Sequence, residues 1–171
     1  MKNILKIFAI TCLLSLSMVT SCFAYGMQLS DTYGAESVNK KYNDNIGATN
    51  YAYLQSENFG YTGMFNSTHS IYTSYVSDSN VIKYICNQAG YVDTIQVVSN
   101  SYELNRIESY VLLIVLTDGC DADSVELLTE TSAAESVRNN WYCDYTGRIY
   151  NVSVFNDNGT ITTTMYAFLI G

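Results

Sequence analysis

His69 is the only histidine in the chain, and Cys12, Cys22, Cys86, Cys120 and Cys143 are its only thiols. Hydrolysis by a Cys–His pair needs the imidazole within hydrogen-bond reach of the thiol it activates. Cys120 is the best placed thiol, because the pattern sets it at a strand-to-helix turn, where a helix N-terminus lowers a thiol pKa. Asp118, Asp121 and Asp123 crowd that position, and negative neighbours raise the pKa again. The phosphatase spacing of Cys, five residues, Arg also fails, since Glu126 stands where the arginine belongs. His69 falls in a polar loop, where a solvated histidine is the ordinary expectation. A small secreted hydrolase built on Cys120 and His69 is therefore an alternative only, and no catalytic residue is assigned.

Asp118, Asp121, Asp123 and Glu126 supply oxygens of the kind calcium takes, six to eight at a time. The EF-hand order requires a glycine at its sixth position, and none is there. Acidic residues at the start of a helix are favoured by the helix dipole without any ion. No phosphate-cradling glycine loop, HExxH or GxSxG is present, so neither a metal nor a cofactor is expected.

What remains is tyrosine. The chain has 16, and only one tryptophan. Tyr142, Tyr145, Tyr150 and Tyr166 fall on the C-terminal strands. Aromatic side chains of this kind are enriched where proteins recognise partners. They are the candidate binding residues, for a protein or a glycan.

Those residues need an export route and a scaffold. The first 24 residues read as a secretion signal: a basic start at Lys2 and Lys6, 13 apolar-rich residues from Ile7 to Val19, and a small-residue exit at Ala24. A membrane span needs roughly 20 apolar residues, so no transmembrane helix is expected in the mature chain. Val19-Thr20-Ser21-Cys22 resembles the bacterial lipobox, with Val19 in place of the usual leucine and bulky Phe23 after the cysteine. That resemblance implies acylation of Cys22 and a membrane anchor. Cleavage after Ala24 instead releases a periplasmic, cell-surface or extracellular protein. Both routes stay open.

Cutting after Ala24 leaves 147 of 171 residues, one domain by size. Six basic residues then face 16 acidic ones, a balance that argues against nucleic acid and anionic membranes. There is no proline, so Gly, Asn, Asp and Ser must build the turns. Residues 25–68 are polar and rich in Tyr, Gly and Asn, which reads as a partly ordered arm. Within it, Gly34 to Asp44 is a weak helix and Phe59 to Phe65 a short strand. Residues 69–171 read as an α+β domain.

In that domain Ile71 to Val76 is a strand. Val81, Ile82, Ile85 and Ala89 recur at helical spacing. Tyr91 to Val98 is a strand, and Ser109 to Thr117 is apolar on both faces, as in a central strand. A second helix begins near Asp121 or Asp123 and runs through Asn139. Ile149 to Phe155 and Ile161 to Leu169 form a hairpin through Asn156-Asp157-Asn158-Gly159. The order predicts an antiparallel sheet with two helices, ferredoxin-like with an added C-terminal hairpin. A cystatin-like or NTF2-like sheet wrapped on a helix is the alternative. No repeat of 20–50 residues is visible.

The predicted helices also rank the cysteine pairs. Eighteen helical residues span about 27 Å, and a disulfide holds its Cα atoms within about 7 Å. A helix between Cys120 and Cys143 therefore keeps them apart. Antiparallel helices bring Cys86 to Cys120, leaving Cys143 buried and reduced. The expectation is an exported, non-enzymatic domain that recognises a protein or glycan. A subunit of a surface assembly is a further alternative, for which an unpaired edge strand is the sign.

Overall fold

The computed structural model describes residues 33–117, 125–133, 136–143 and 146–169. Helix α1 (Ala35–Gly47) comes first, followed by a short 3-10 turn (Ala52–Leu54). Four strands follow: β1 (Asn58–Asn66), β2 (His69–Ser77), β3 (Asn80–Cys86) and β4 (Val92–Ser99). Helix α2 (Tyr102–Leu116) then leads to β5 (Val125–Ala133), β6 (Ser136–Cys143), β7 (Arg148–Asp157) and β8 (Thr160–Leu169). The eight strands form one sheet in the order β1-β2-β3-β4-β8-β7-β6-β5. Every neighbouring pair is antiparallel. The molecule is mixed α and β, and mostly sheet.

The chain repeats itself. Ala35 and Tyr102 open the two helices, Asn58 and Val125 the first strands, His69 and Ser136 the second, each pair 67 positions apart. Asn80 and Arg148, then Val92 and Thr160, open the remaining strands 68 positions apart. Each half is one helix and a four-stranded meander, and β4 meets β8 where the halves join. The period is longer than the range in which the sequence shows no repeat.

Each helix forms for local reasons. In α1, Ala35, Val38, Asn39, Tyr42 and Ile46 are buried at helical spacing, and Glu36 sits in the first turn, where the dipole favours it. In α2, the Ser101 hydroxyl accepts from the Leu104 amide at 3.4 Å as an N-cap. Its inner stripe is Asn105, Glu108, Leu112 and Val115.

Each helix docks through a buried asparagine. Asn39 Oδ1 accepts from Ser74 Oγ of β2 at 2.7 Å and from Tyr84 OH of β3 at 3.1 Å. Asn105 Nδ2 donates to Val97 O of β4 at 2.9 Å and to Ile161 O of β8 at 3.1 Å, and Thr163 Oγ1 donates back to Asn105 Oδ1. Tyr42, Ile46, Ile82, Tyr84, Ile95, Leu112, Tyr150 and Met165 are fully buried beneath them. A side chain of this size buried from water contributes about 1.5–3 kcal/mol. Glu108 lies in the same layer with no exposed surface, and burial lifts its pKa from 4.5 to about 8.

Several expectations are corrected. The stretch 25–68 is not an arm where it is described: α1 and β1 belong to the domain, and Val38, Tyr42 and Ile46 are core residues. Ala52–Leu54 is a 3-10 turn, where the residue types of Asn50 to Gln55 suggest a short strand. The predicted helix at 81–89 is β3, whose Ile82 and Tyr84 point to the core. The predicted central strand at 109–117 is the second half of α2. The predicted helix running to Asn139 is a hairpin of β5 and β6. The strand–helix–strand units of a ferredoxin-like sandwich rest on those elements, and four-stranded meanders stand in their place. The C-terminal hairpin is as expected, with Asn158 at φ 51° and Gly159 at φ 88°. Two successive left-handed residues make the type I′ turn that matches strand twist.

Candidate functional site

Both helices lie on one side of the sheet. In a strand, successive side chains point to opposite faces, so the positions alternate with the docked Ser74, Tyr84, Val97 and Thr163. The other face bears three rows running straight across six strands. The first is Tyr75, Val81, Val98, Thr162, Phe155 and Ser136. The second is Thr73, Lys83, Gln96, Thr164, Ser153 and Arg138, and the third is Ile71, Ile85, Thr94, Tyr166, Asn151 and Asn140.

This face is apolar at one margin and cationic through the middle. Tyr75 and Phe155 are each 48 % exposed, and four strand spacings of about 4.8 Å set them about 19 Å apart. No carboxylate occurs in the three rows, although the whole chain carries a net charge of −8. Thr62 and Thr73 share a hydroxyl hydrogen bond at 2.8 Å, and Asn151 Nδ2 donates to Asn140 Oδ1 at 2.6 Å. Thr73 and Asn151 are thus each held by a neighbouring strand.

His69 closes one corner. Its Nε2 lies 2.8 Å from Asp93 Oδ2, its Nδ1 2.8 Å from Thr68 Oγ1, and Asn87 Nδ2 donates to Asp93 Oδ1 at 3.0 Å. Burial raises the Asp93 pKa, and the hydrogen bonds from His69 and Asn87 pull against it. The Thr68 hydroxyl also bonds Asn66 Oδ1 at 2.9 Å within the β1–β2 turn. The arrangement clamps that turn to the start of β4. The solvated loop histidine expected from the sequence is instead a bonded one, with both ring nitrogens occupied. Cys120, its proposed thiol partner, lies outside the described residues, as do Asp118, Asp121 and Asp123.

The four candidate tyrosines separate. Tyr142 and Tyr166 lie on the helix-free face, half-buried. Tyr150 is fully buried on the opposite side, where its hydroxyl donates to Leu116 O at 3.3 Å and to Thr146 Oγ1 at 3.1 Å. It cannot line the same surface, because alternation turns it inward. Tyr145 and Cys22 lie outside the described residues. Cys86 ends β3, buried, with its thiol pushed up to about 11, chiefly by burial. Cys143 is buried at the end of β6. Tyr75, Lys83, Arg138 and Phe155 escaped the sequence reading. The alternation Ile71, Thr73, Tyr75 against Tyr72, Ser74, Val76 carried the signal for the first of them.

Among the described residues no group of three or more His, Cys, Asp or Glu side chains is placed to hold a metal ion. Among them, too, no helix is long and apolar enough to cross a membrane. No protein-family model matches the chain, and the comparison with curated proteins finds no significant match.

Proposed function

We propose that this is an exported, non-enzymatic binding module that takes a protein partner on the helix-free face of its sheet. The observation that carries the reading is the row from Tyr75 to Phe155 beside a row bearing Lys83 and Arg138. Aromatic side chains and arginine dominate the energetics of protein interfaces. The spacing of the two exposed aromatics favours a protein over a glycan, since about 19 Å spans several sugar rings. The acid-free rows suit an acidic or neutral partner surface. Export follows from the signal-like first 24 residues, with release after Ala24 or anchoring through acylated Cys22.

The test is capture by the mature chain immobilised beside a Tyr75→Glu/Phe155→Glu variant. Both positions are at the surface, so the variant melts as the wild type does. A protein retained by the wild type and lost by the variant supports the reading. Identical capture by both overturns it. Intact mass of the exported N-terminus separates cleavage at Ala24 from acylation at Cys22.

A second reading, a subunit of a surface assembly, draws on β1. This strand is an edge of the sheet, it contains no charged residue, and it exposes Tyr61, Met64 and Phe65. Edges without charge invite strand addition. Sedimentation showing a concentration-dependent oligomer that Met64→Lys abolishes would favour it.

A further inference from the structure

The two halves of the sheet differ in packing where the second half has a cleft. Counting pairs outward from Gln96 and Thr164 matches Tyr84 of β3 to Val154 of β7, and Tyr72 of β2 to Val137 of β6. The same count matches Ser74 to Asn139. In the first half these places are filled. Phe59 stacks on Tyr72 at 5.9 Å and meets Tyr84 edge-on at 6.0 Å, and Ser74 is bonded to Asn39 of α1. In the second half α2 does not take the matching seat, because Asn105 holds it over the β4–β8 seam. Two valines fill less space than two tyrosines.

What remains is a cleft of about 280 Å³ between α2 and strands β6 and β7. Tyr102 and Tyr110 from α2 and Trp141 from β6 give it flat aromatic walls, and Val137, Val152 and Val154 line it between them. Ser109 and Asn139 also line it. Ser109 Oγ and Asn139 Oδ1 are shut off from solvent with no hydrogen-bond partner among the described residues, and Ser109 as a whole is 8 % exposed. A buried polar group left without a partner is destabilising. Arg106 completes the lining and is exposed.

We infer that this cleft binds a small aromatic acid: a single ring carrying a hydrogen-bond donor and a carboxylate. The ring lies against Trp141 and the tyrosines over the valines, the arrangement common to small-molecule sites. A cavity of about 150 Å³ holds benzene, so the larger cleft has room for two substituents. A turn of the Asn139 and Ser109 side chains, whose polar atoms are closed to solvent in the cleft, brings both to a hydroxyl on the ring. The carboxylate pairs with the Arg106 guanidinium, which offers a planar fork to it. The site lies on the helix side of the sheet, so it is independent of the proposed protein-binding face.

Trp141 is the only tryptophan in the chain, so its emission reports on this cleft alone. The probe is 4-hydroxyphenylacetate, added to the mature protein and followed by Trp141 emission and by calorimetry. Saturable one-to-one binding is expected, weakened about tenfold in Arg106→Gln, a loss of 1.4 kcal/mol. Phenylacetate, without the hydroxyl, is expected to bind more weakly than the probe. Val154→Tyr, which restores the residue of the first half, is expected to abolish binding. Should that variant fail to fold, the solvent-exposed Arg106→Gln carries the comparison. Absence of calorimetric binding to the folded wild type at about 10 mM probe, or equal binding by wild type and Arg106→Gln, would overturn the assignment.

Discussion

Gln96 and Thr164 face each other directly across the β4–β8 seam, at equivalent points of the two halves 68 positions apart. A residue that pairs with its own counterpart marks a local two-fold axis, and the sheet is built outward from it. Directly opposed residues in an antiparallel pair have Cα atoms about 4.5–5.5 Å apart, within the range a disulfide spans. Gln96→Cys with Thr164→Cys is therefore expected to form a bridge on mild oxidation. Closing a loop of nearly 70 residues stabilises by up to about 4 kcal/mol. Non-reducing mass analysis and thermal melting check this, and thiols that stay free would contradict the seam register.

The docking asparagines are not interchangeable with apolar residues of similar size. Asn105→Leu leaves Val97 O, Ile161 O and the Thr163 hydroxyl without their partner. Asn39→Leu does the same to Ser74 and Tyr84. Each is expected to lower stability by about 2–4 kcal/mol, since the groups left behind are buried. Denaturant unfolding measures it, and a change under about 0.5 kcal/mol would show the bonds to be dispensable.

Glu108 sets a pH dependence. Its folded pKa is lifted to about 8 by burial, above its ordinary 4.5. The folded protein thus favours the neutral carboxyl. The contribution is fully present below about pH 4.5 and is lost as pH rises through 8, because the unfolded chain ionises first. Glu108→Gln is expected to flatten that slope and to raise the melting temperature at pH 8 more than at pH 4.5. Parallel melting curves across that window in wild type and variant would refute the assignment.

The β7–β8 turn depends on one glycine. At φ 88° Gly159 occupies a region that other residues enter at a cost. Gly159→Val is expected to destabilise by about 1–3 kcal/mol, read as a fall in denaturant midpoint. Asn158→Gly, which keeps a left-handed turn, is expected to be nearly neutral.

Elements decided by local chemistry are legible in these residues, and elements decided by packing are not. Asn156-Asp157-Asn158-Gly159 names its own turn, and Ile71 to Val76 its own strand. Val81, Ile82, Ile85 and Ala89 satisfy helical spacing only because β3 is apolar on both faces, which hides the period of two. Ser109 to Thr117 looked like a buried strand because α2 packs against both the sheet and the neighbouring α1, so most of its circumference is apolar. The cue to a helix lay upstream, in the Ser101 cap and the spacing of Leu104, Glu108 and Leu112. The duplication was invisible because its halves have diverged at the packing positions, Tyr72 against Val137 and Tyr84 against Val154. The rows of the helix-free face depend on strand order, which no local pattern encodes.

β8 is the last strand in chain order, yet it lies at the middle of the sheet. Until it arrives, β4 and β7 each present an open edge, and the two meanders have no shared ladder. Their union joins segments far apart along the chain, the kind of contact that slows folding most. On the proposed export route, a chain crossing a membrane N-terminus first would complete this sheet only after β8 had passed. Threading and closure would then be kept in sequence by strand order.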